Sequence, residues 1–265
     1  MLTILTLNIL LMIVYLSHWD WNLYKSRKDI VLNLDDLNFT AICPEGNYAK
    51  ELSSIYKDCI NWEIERKNTF DINGIINLKN ILNSLEEGSI VHSFTLRTGI
   101  LYSISNLFVK NNLKGILSIN GLGYLFSNNL KAKILKFLLS TFIKISFNKY
   151  FKEIIFQNKS DQETFLKYSK YSGKISLIEG SGIEINNYVK KETYELKKLK
   201  VIFVSRLLID KGVYEYIQLT RNIENKNIDF YLAGEIDEGN PNSITNKSLN
   251  NIKSEGNLKY IGPIN

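Results

Sequence analysis

Residues 199–223 read LKVIFVSRLLIDKGVYEYIQLTRNI. A short apolar run, Leu199–Ser205, passes through a charged turn into a segment of helical period, Gly212–Ile223, so the stretch reads as strand, loop and helix in succession. Two further strands, Ile228–Ala233 and Leu258–Ile261, bracket a second helical segment over Asn242–Ser254. Strands and helices in this alternation form a parallel sheet with right-handed helical crossovers.

Upstream the same alternation runs longer. Strands are expected at Ile9–Leu16, Phe39–Cys43, Ile60–Ile64, Ser89–Ser93, Gly115–Ile119, Glu153–Gln157 and Lys174–Ile178. Helical segments are expected near Trp21–Leu32, Gly74–Glu86, Gly99–Val109, Asn129–Phe147 and Asp161–Ser169. The class is α/β: a doubly wound domain over residues 1–185, a Lys- and Glu-rich linker over 186–199, and a second Rossmann-like unit over 200–265. Three strands with two helices leave a sheet edge and much apolar surface uncovered, so the second domain reads as incomplete.

Composition narrows the classes. With 265 residues, 45% hydrophobic and 23% charged, the chain is neither disordered nor a multi-span membrane protein, and three prolines exclude a Pro-rich spacer. The net charge of +6 suits phosphate-bearing ligands, an anionic membrane face or nucleic acid without choosing among them. Two cysteines and two histidines make neither a disulfide framework nor a metal cluster, which favours a reduced, cytoplasmic setting with no metal. Residues 1–16 are mostly apolar but interrupted by Thr3, Thr6 and Asn8, with no cation before them; they read as a first strand behind a short leader, or as a membrane anchor.

The sharpest chemical signal lies in the opening stretch, at Ser205-Arg206 through Lys211-Gly212. Ligands of open α/β sheets bind at the carboxyl ends of strands, and here Arg206 and Lys211 flank the start of a helix whose free N–H groups favour anions. A diphosphate fits that arrangement. The same residues also fit a plain helix cap, with Asp210 as N-cap and both cations solvated.

Gly180-Ser181-Gly182 follows the last strand of the first domain and offers backbone donors for close approach of a ligand at the expected cleft; it also fits a structural turn. Asn120-Gly121-Leu122-Gly123 resembles the start of a dinucleotide fingerprint, but Phe126 stands where its third glycine belongs. A nicotinamide or flavin role is therefore not expected, and Gly121, Leu122 and Gly123 are candidates for an acceptor or donor pocket. His18 and His92, each after or at the end of a strand, are candidates for the same cleft or for hydrogen-bonded structural roles. Lys131 to Lys152 holds six lysines and no acid. On a helical wheel Ile134, Leu138, Phe142 and Ile145 share one face and Lys133, Lys136 and Lys144 the other, either a solvated back or a surface for anionic lipid. No nucleic-acid module accompanies these cations.

Taken together, His92-Ser93-Phe94-Thr95, Asn120 to Phe126, Phe156 to Asp161, Gly180 to Glu184, Ser205-Arg206-Leu207, Lys211 to Glu215, and Ala233-Gly234-Glu235-Ile236-Asp237 leading to Asn240-Pro241 resemble the retaining glycosyltransferases of family 4. The nearest likeness is to bacterial enzymes that extend polysaccharide or lipid-linked oligosaccharide chains, of the N-acetylgalactosaminyl or bacillosaminyl type. The resemblance implies a GT-B fold of two Rossmann-like domains, a nucleotide diphospho-sugar donor held by the second and a lipid-linked or polysaccharide acceptor held by the first. It implies that Arg206 and Lys211 stabilise the departing diphosphate without a metal, with Ser205, Gly234, Glu235 and the Gly180–Gly182 turn near the donor. The paired glutamates of the family's C-terminal domain have no counterpart here, so the resemblance is to a member shortened at its C-terminus. Such a chain is expected to be weakly active or to need a separately encoded C-terminal half. It would work in the cytoplasm, peripheral to the inner face of the membrane.

Overall fold

The structure is a computed structural model that describes residues 12–34, 36–65, 71–122, 130–187, 198–237, 240, 242–253 and 258–264, with 130–139 described by backbone alone. The chain divides into two compact units, Met1–Asn187 and Tyr188–Asn265.

In the first unit β1 (Ile13–Leu16), α1 (Asp20–Leu32), β2 (Phe39–Cys43), α2 (Ala49–Ile55) and β3 (Asp58–Asn61) are followed by α3 (Ile72–Ser84) and β4 (Ile90–Phe94). Then come α4 (Leu96–Asn106), β5 (Lys114–Ile119), α5 (Leu130–Tyr150), β6 (Phe151–Phe156), α6 (Lys159–Ser169) and β7 (Lys174–Leu177). The seven strands are all parallel, in the order β3-β2-β1-β4-β5-β6-β7. Strand order reverses between β1 and β4, so the chain leaves β1 toward one edge and β4 toward the other. Right-handed crossovers in opposite directions put α1 and α2 on one face and α3 to α6 on the other. Two cores follow from the alternation of side chains along each strand. Val14 and Leu16 join Val91, Leu117 and Phe156 under α3 to α6, while Tyr15 joins Phe39, Ala41 and Phe94 under α1 and α2.

The second unit holds β8 (Leu199–Val204), α7 (Val213–Asn222), β9 (Ile228–Ala233), α8 (Asn246–Lys253) and β10 (Leu258–Gly262), its parallel sheet ordered β10-β9-β8. Both crossovers run the same way, so α7 and α8 cover one face around Leu207, Val213, Ile217, Phe230 and Leu232. Ile202 and Val204, at 48% and 56%, are exposed on the other face.

Four differences from the sequence reading have physical causes. Helix α2 was not expected, because its seven residues bury only Leu52 and give no periodic signal. Strand β3 begins at Asp58, two residues before the expected Ile60: at a sheet edge Asp58, Cys59 and Asn61 stay exposed and no apolar run is needed. Helix α4 starts at Leu96, not Gly99, because Thr95 caps it. On α5 the inward face carries Ile143, Ser146, Phe147 and Tyr150; of the expected apolar face Phe142 packs partly buried against the core, while Ile145 is 64% exposed beside exposed Lys144, so the buried face is centred about one residue further on. The side chains of Ile134, Leu138, Lys133 and Lys136 lie outside the described residues, as do Gly123 and residues 1–11.

Candidate functional site

At the carboxyl edge of β8 the chain turns through Ser205 and Arg206 into a 3-10 turn, Ile209–Lys211, and then into α7. Gly212 is the N-cap of α7, at φ +83°, and no side chain caps the helix. Asp210 stays exposed in the 3-10 turn, so the plain Asp-capped alternative is not what forms. Positive φ is the reason glycine stands at 212.

The loop is held from below. Leu207 N–H donates to Glu235 O at 2.9 Å, Ile209 N–H to Asn242 O at 2.8 Å, and Ile244 N–H to Leu207 O at 2.9 Å. Gly234, at φ +145°, lies so close to Ser205 that a Cβ there would stand 1.8 Å from the Ser205 carbonyl oxygen. Only glycine fits, and it lets the ends of β8 and β9 meet. Arg206 donates from Nη1 to Asp237 Oδ2 at 2.6 Å; the carboxylate is buried and the guanidinium partly exposed. Asp237 is itself fixed, since its backbone N–H donates to Ser243 Oγ at 3.0 Å. Arg206 is thus a pre-oriented cation with free donors, beside an uncapped helix start. Lys211 is exposed, and no ion pair among the described residues involves it. Glu235 is exposed at the same strand edge. The arrangement suits an anionic ligand bearing phosphate oxygens.

In the first unit the switch between β1 and β4 brings together His18, Thr95 and Thr98. His18 Nδ1 lies 2.9 Å from Thr98 Oγ1 and 3.3 Å from Thr95 Oγ1, and the two hydroxyls are 3.1 Å apart. Nearby, Trp19 and Trp21 stack at 4.8 Å. This is the crevice position where open α/β sheets bind ligands, and a polar cluster beside flat aromatic surface suits a hydroxyl-rich ligand.

The other candidates sit elsewhere. His92 is not at the crevice: it faces α1, its Nε2 2.8 Å from Ser118 Oγ, and burial pushes its pKa down to about 3, so the ring is neutral. Leu122 is 8% exposed and packs in the main core, which removes its side chain from a ligand-facing role; Gly121 is exposed. Gly180 and Gly182 need positive φ, +87° and +75°, and Ser181 between them accepts a hydrogen bond from Arg27.

Sequence reasoning gave no site role to Thr98, Arg27 or Asp237, although Asp237 ends one of the motifs behind the family resemblance. Arg27 had a signal. With Leu23, Ile30 and Val31 it follows the spacing of one buried helix face, although its neighbours Lys25 and Lys28 make it look like one more solvated cation. Among the described residues no group of His, Cys, Asp and Glu is placed to hold a metal, and no helix is long and apolar enough to cross a membrane.

No family model and no curated protein matches the sequence. Solved structures do match in fold. Anabaena HepE in complex with UDP-glucose is 13% identical with a TM-score of 0.63, the match covering 96% of this chain and 69% of that one. Sucrose-phosphate synthase from Thermosynechococcus elongatus is 12% identical with a TM-score of 0.68, covering 96% and 71%. A glycosyltransferase from Rickettsia africae is 13% identical with a TM-score of 0.64, covering 96% and 68%. The chain has the GT-B fold that these glycosyltransferases share.

Proposed function

We propose that the chain is a retaining glycosyltransferase that moves a sugar from a nucleotide diphospho-sugar, a UDP-N-acetylhexosamine, to a lipid-linked or polysaccharide acceptor. The observation that carries the reading is Arg206, held by buried Asp237 at the carboxyl edge of β8 next to the uncapped start of α7. A GT-B neighbour bound to UDP-glucose supports it.

When the bond between the sugar's anomeric carbon and the diphosphate breaks, negative charge grows on the departing oxygen. A cation already oriented before that moment stabilises the charge without reorganising. Arg206 provides it through a fork that matches phosphate geometry, and Lys211 adds a second, mobile charge. Ser205 and Gly234 meet at the strand ends where the diphosphate would lie, and Glu235 is at the same edge. The acceptor hydroxyl would enter at the β1/β4 switch, near His18, Thr95 and Thr98. Lys144, with Lys133 and Lys136, would rest on anionic lipid at the inner face of the membrane.

Calorimetric titration with UDP and UDP-N-acetylhexosamines, set beside an Arg206→Ala, Lys211→Ala double variant, tests the donor site. The double variant should bind UDP about a hundredfold more weakly or worse, since each charge-assisted hydrogen bond is worth roughly 1.5 to 3 kcal/mol. A folded wild-type chain that binds no UDP overturns the reading.

A further inference from the structure

A cavity of about 140 Å³ lies under α1 on the sheet face away from α3 to α6. It is lined by Arg27 and Ile30 of α1, by Tyr15, His92 and Ser118 of the strands, and by the Gly180-Ser181 turn. Arg27 is 6% exposed. Its Nη1 donates to Ser181 Oγ at 2.9 Å, its Nη2 reaches Asn120 Oδ1 only at 3.5 Å, and its buried Nε–H has no partner. The Phe94 ring covers the guanidinium at 4.3 Å. No carboxylate among the described residues neutralises it. Glu153, the acid that acts electrostatically on the neighbouring His92, is committed to Lys174 Nζ at 2.9 Å and to Ser176 Oγ.

A buried cation held only by neutral oxygens and one ring is costly, because desolvation is not repaid without an opposite charge. Beside it stands a cavity with the volume of about four or five waters, ample for one small oxyanion. Its walls suit such a guest: Arg27 supplies charge, Ser118 and Ser181 supply hydroxyls, and neutral His92 offers either a donor or an acceptor. We propose that this cavity is a binding site for a small oxyanion, a carboxylate or a phosphate group, which neutralises Arg27 and ties α1 to the turn at Gly180–Gly182. Every residue lining this cavity belongs to the first unit, and none of Ser205, Arg206, Lys211, Gly234 and Glu235 is among them.

The test uses the full chain carrying Arg206→Ala and Lys211→Ala, so that phosphate has no cation pair in the second unit. Thermal unfolding is followed by tryptophan fluorescence in sodium phosphate, sodium acetate and sodium chloride at matched ionic strength; all three tryptophans, 19, 21 and 62, belong to the first unit. At a hundred times Kd, Tm should rise by about 5 °C over chloride. A rise with phosphate alone assigns a phosphate group, and one with acetate alone a carboxylate. A rise with both assigns an oxyanion site that does not discriminate. Arg27→Met should abolish the rise while tolerating burial; if that variant fails to fold, Ser181→Ala should weaken the apparent affinity several-fold. No rise with either anion, or a rise that persists undiminished in both variants, overturns the proposal.

Discussion

Thr95 stands at φ +81° and ψ 150°, a backbone region that glycine enters freely and other residues enter at about 1 to 3 kcal/mol. The strain is kept where the hydroxyl is used: Oγ1 caps α4 through the Thr98 N–H and meets His18 at the β1/β4 switch. Thr95→Ala keeps the strain and loses the cap, for a loss of about 1 kcal/mol. Thr95→Gly loses the same cap yet relieves the strain, so it should be more stable than the alanine variant by about 1 to 3 kcal/mol, the reverse of the usual order outside such backbone regions. Urea unfolding read by tryptophan fluorescence measures both; an alanine variant as stable as the glycine one would mean the backbone relaxes locally. Nothing in His92-Ser93-Phe94-Thr95 announces this, because a residue's φ is set by where the chain must go after β4. The position of Arg206 and Lys211 was legible because it depends on place along the chain, at a strand end before a helix. Asp237, 31 positions from Arg206, becomes its partner only once β8 and β9 lie side by side.

At the scale of elements, helix α5 separates what spacing can and cannot tell. Its existence was legible from the long apolar and lysine-rich run, but its orientation was misplaced by one residue, which rotates a helix by roughly 100°. Phe147 is fully buried against Phe151 and Phe165, whereas Ile145 is exposed. Phe147→Ala should therefore cost about 3 to 5 kcal/mol in urea unfolding. Ile145→Lys, which the wheel would have forbidden, should stay within about 0.5 kcal/mol of the parent. Equal losses at the two positions would restore the wheel reading. Central strand β2 was read well for a related reason: it matches its expected span because burial on both faces demands a continuous apolar run. Edge strand β3 and short helix α2 bury little, so burial left no mark on their sequence.

For the whole molecule, burial that no single segment reveals becomes a dependence on pH. His92 is a polar strand residue by sequence and takes its environment from three strands and a helix: Tyr15 and Phe94 pack on it, Ser118 bonds it, and Arg27 repels its charged form. Its folded pKa of about 3 lies below the 6.5 of an unconstrained histidine. Between those values the unfolded chain binds a proton that the folded chain does not, so stability rises with pH across the window. The contribution is fully present above about pH 6.5 and is lost progressively as pH falls toward 3. Between pH 7 and pH 5 the first unit should lose about 2 kcal/mol through this residue. His92→Gln, which can keep a bond to Ser118 but does not titrate, should flatten the urea-midpoint profile over that range by the same amount. Lowered carboxylate pKa values, as at Asp71 and Glu153, act below that range and steepen the profile only at lower pH. A wild-type profile already flat from pH 7 to pH 5 would mean that water reaches His92 and that the cavity beneath α1 is wetter than its walls imply.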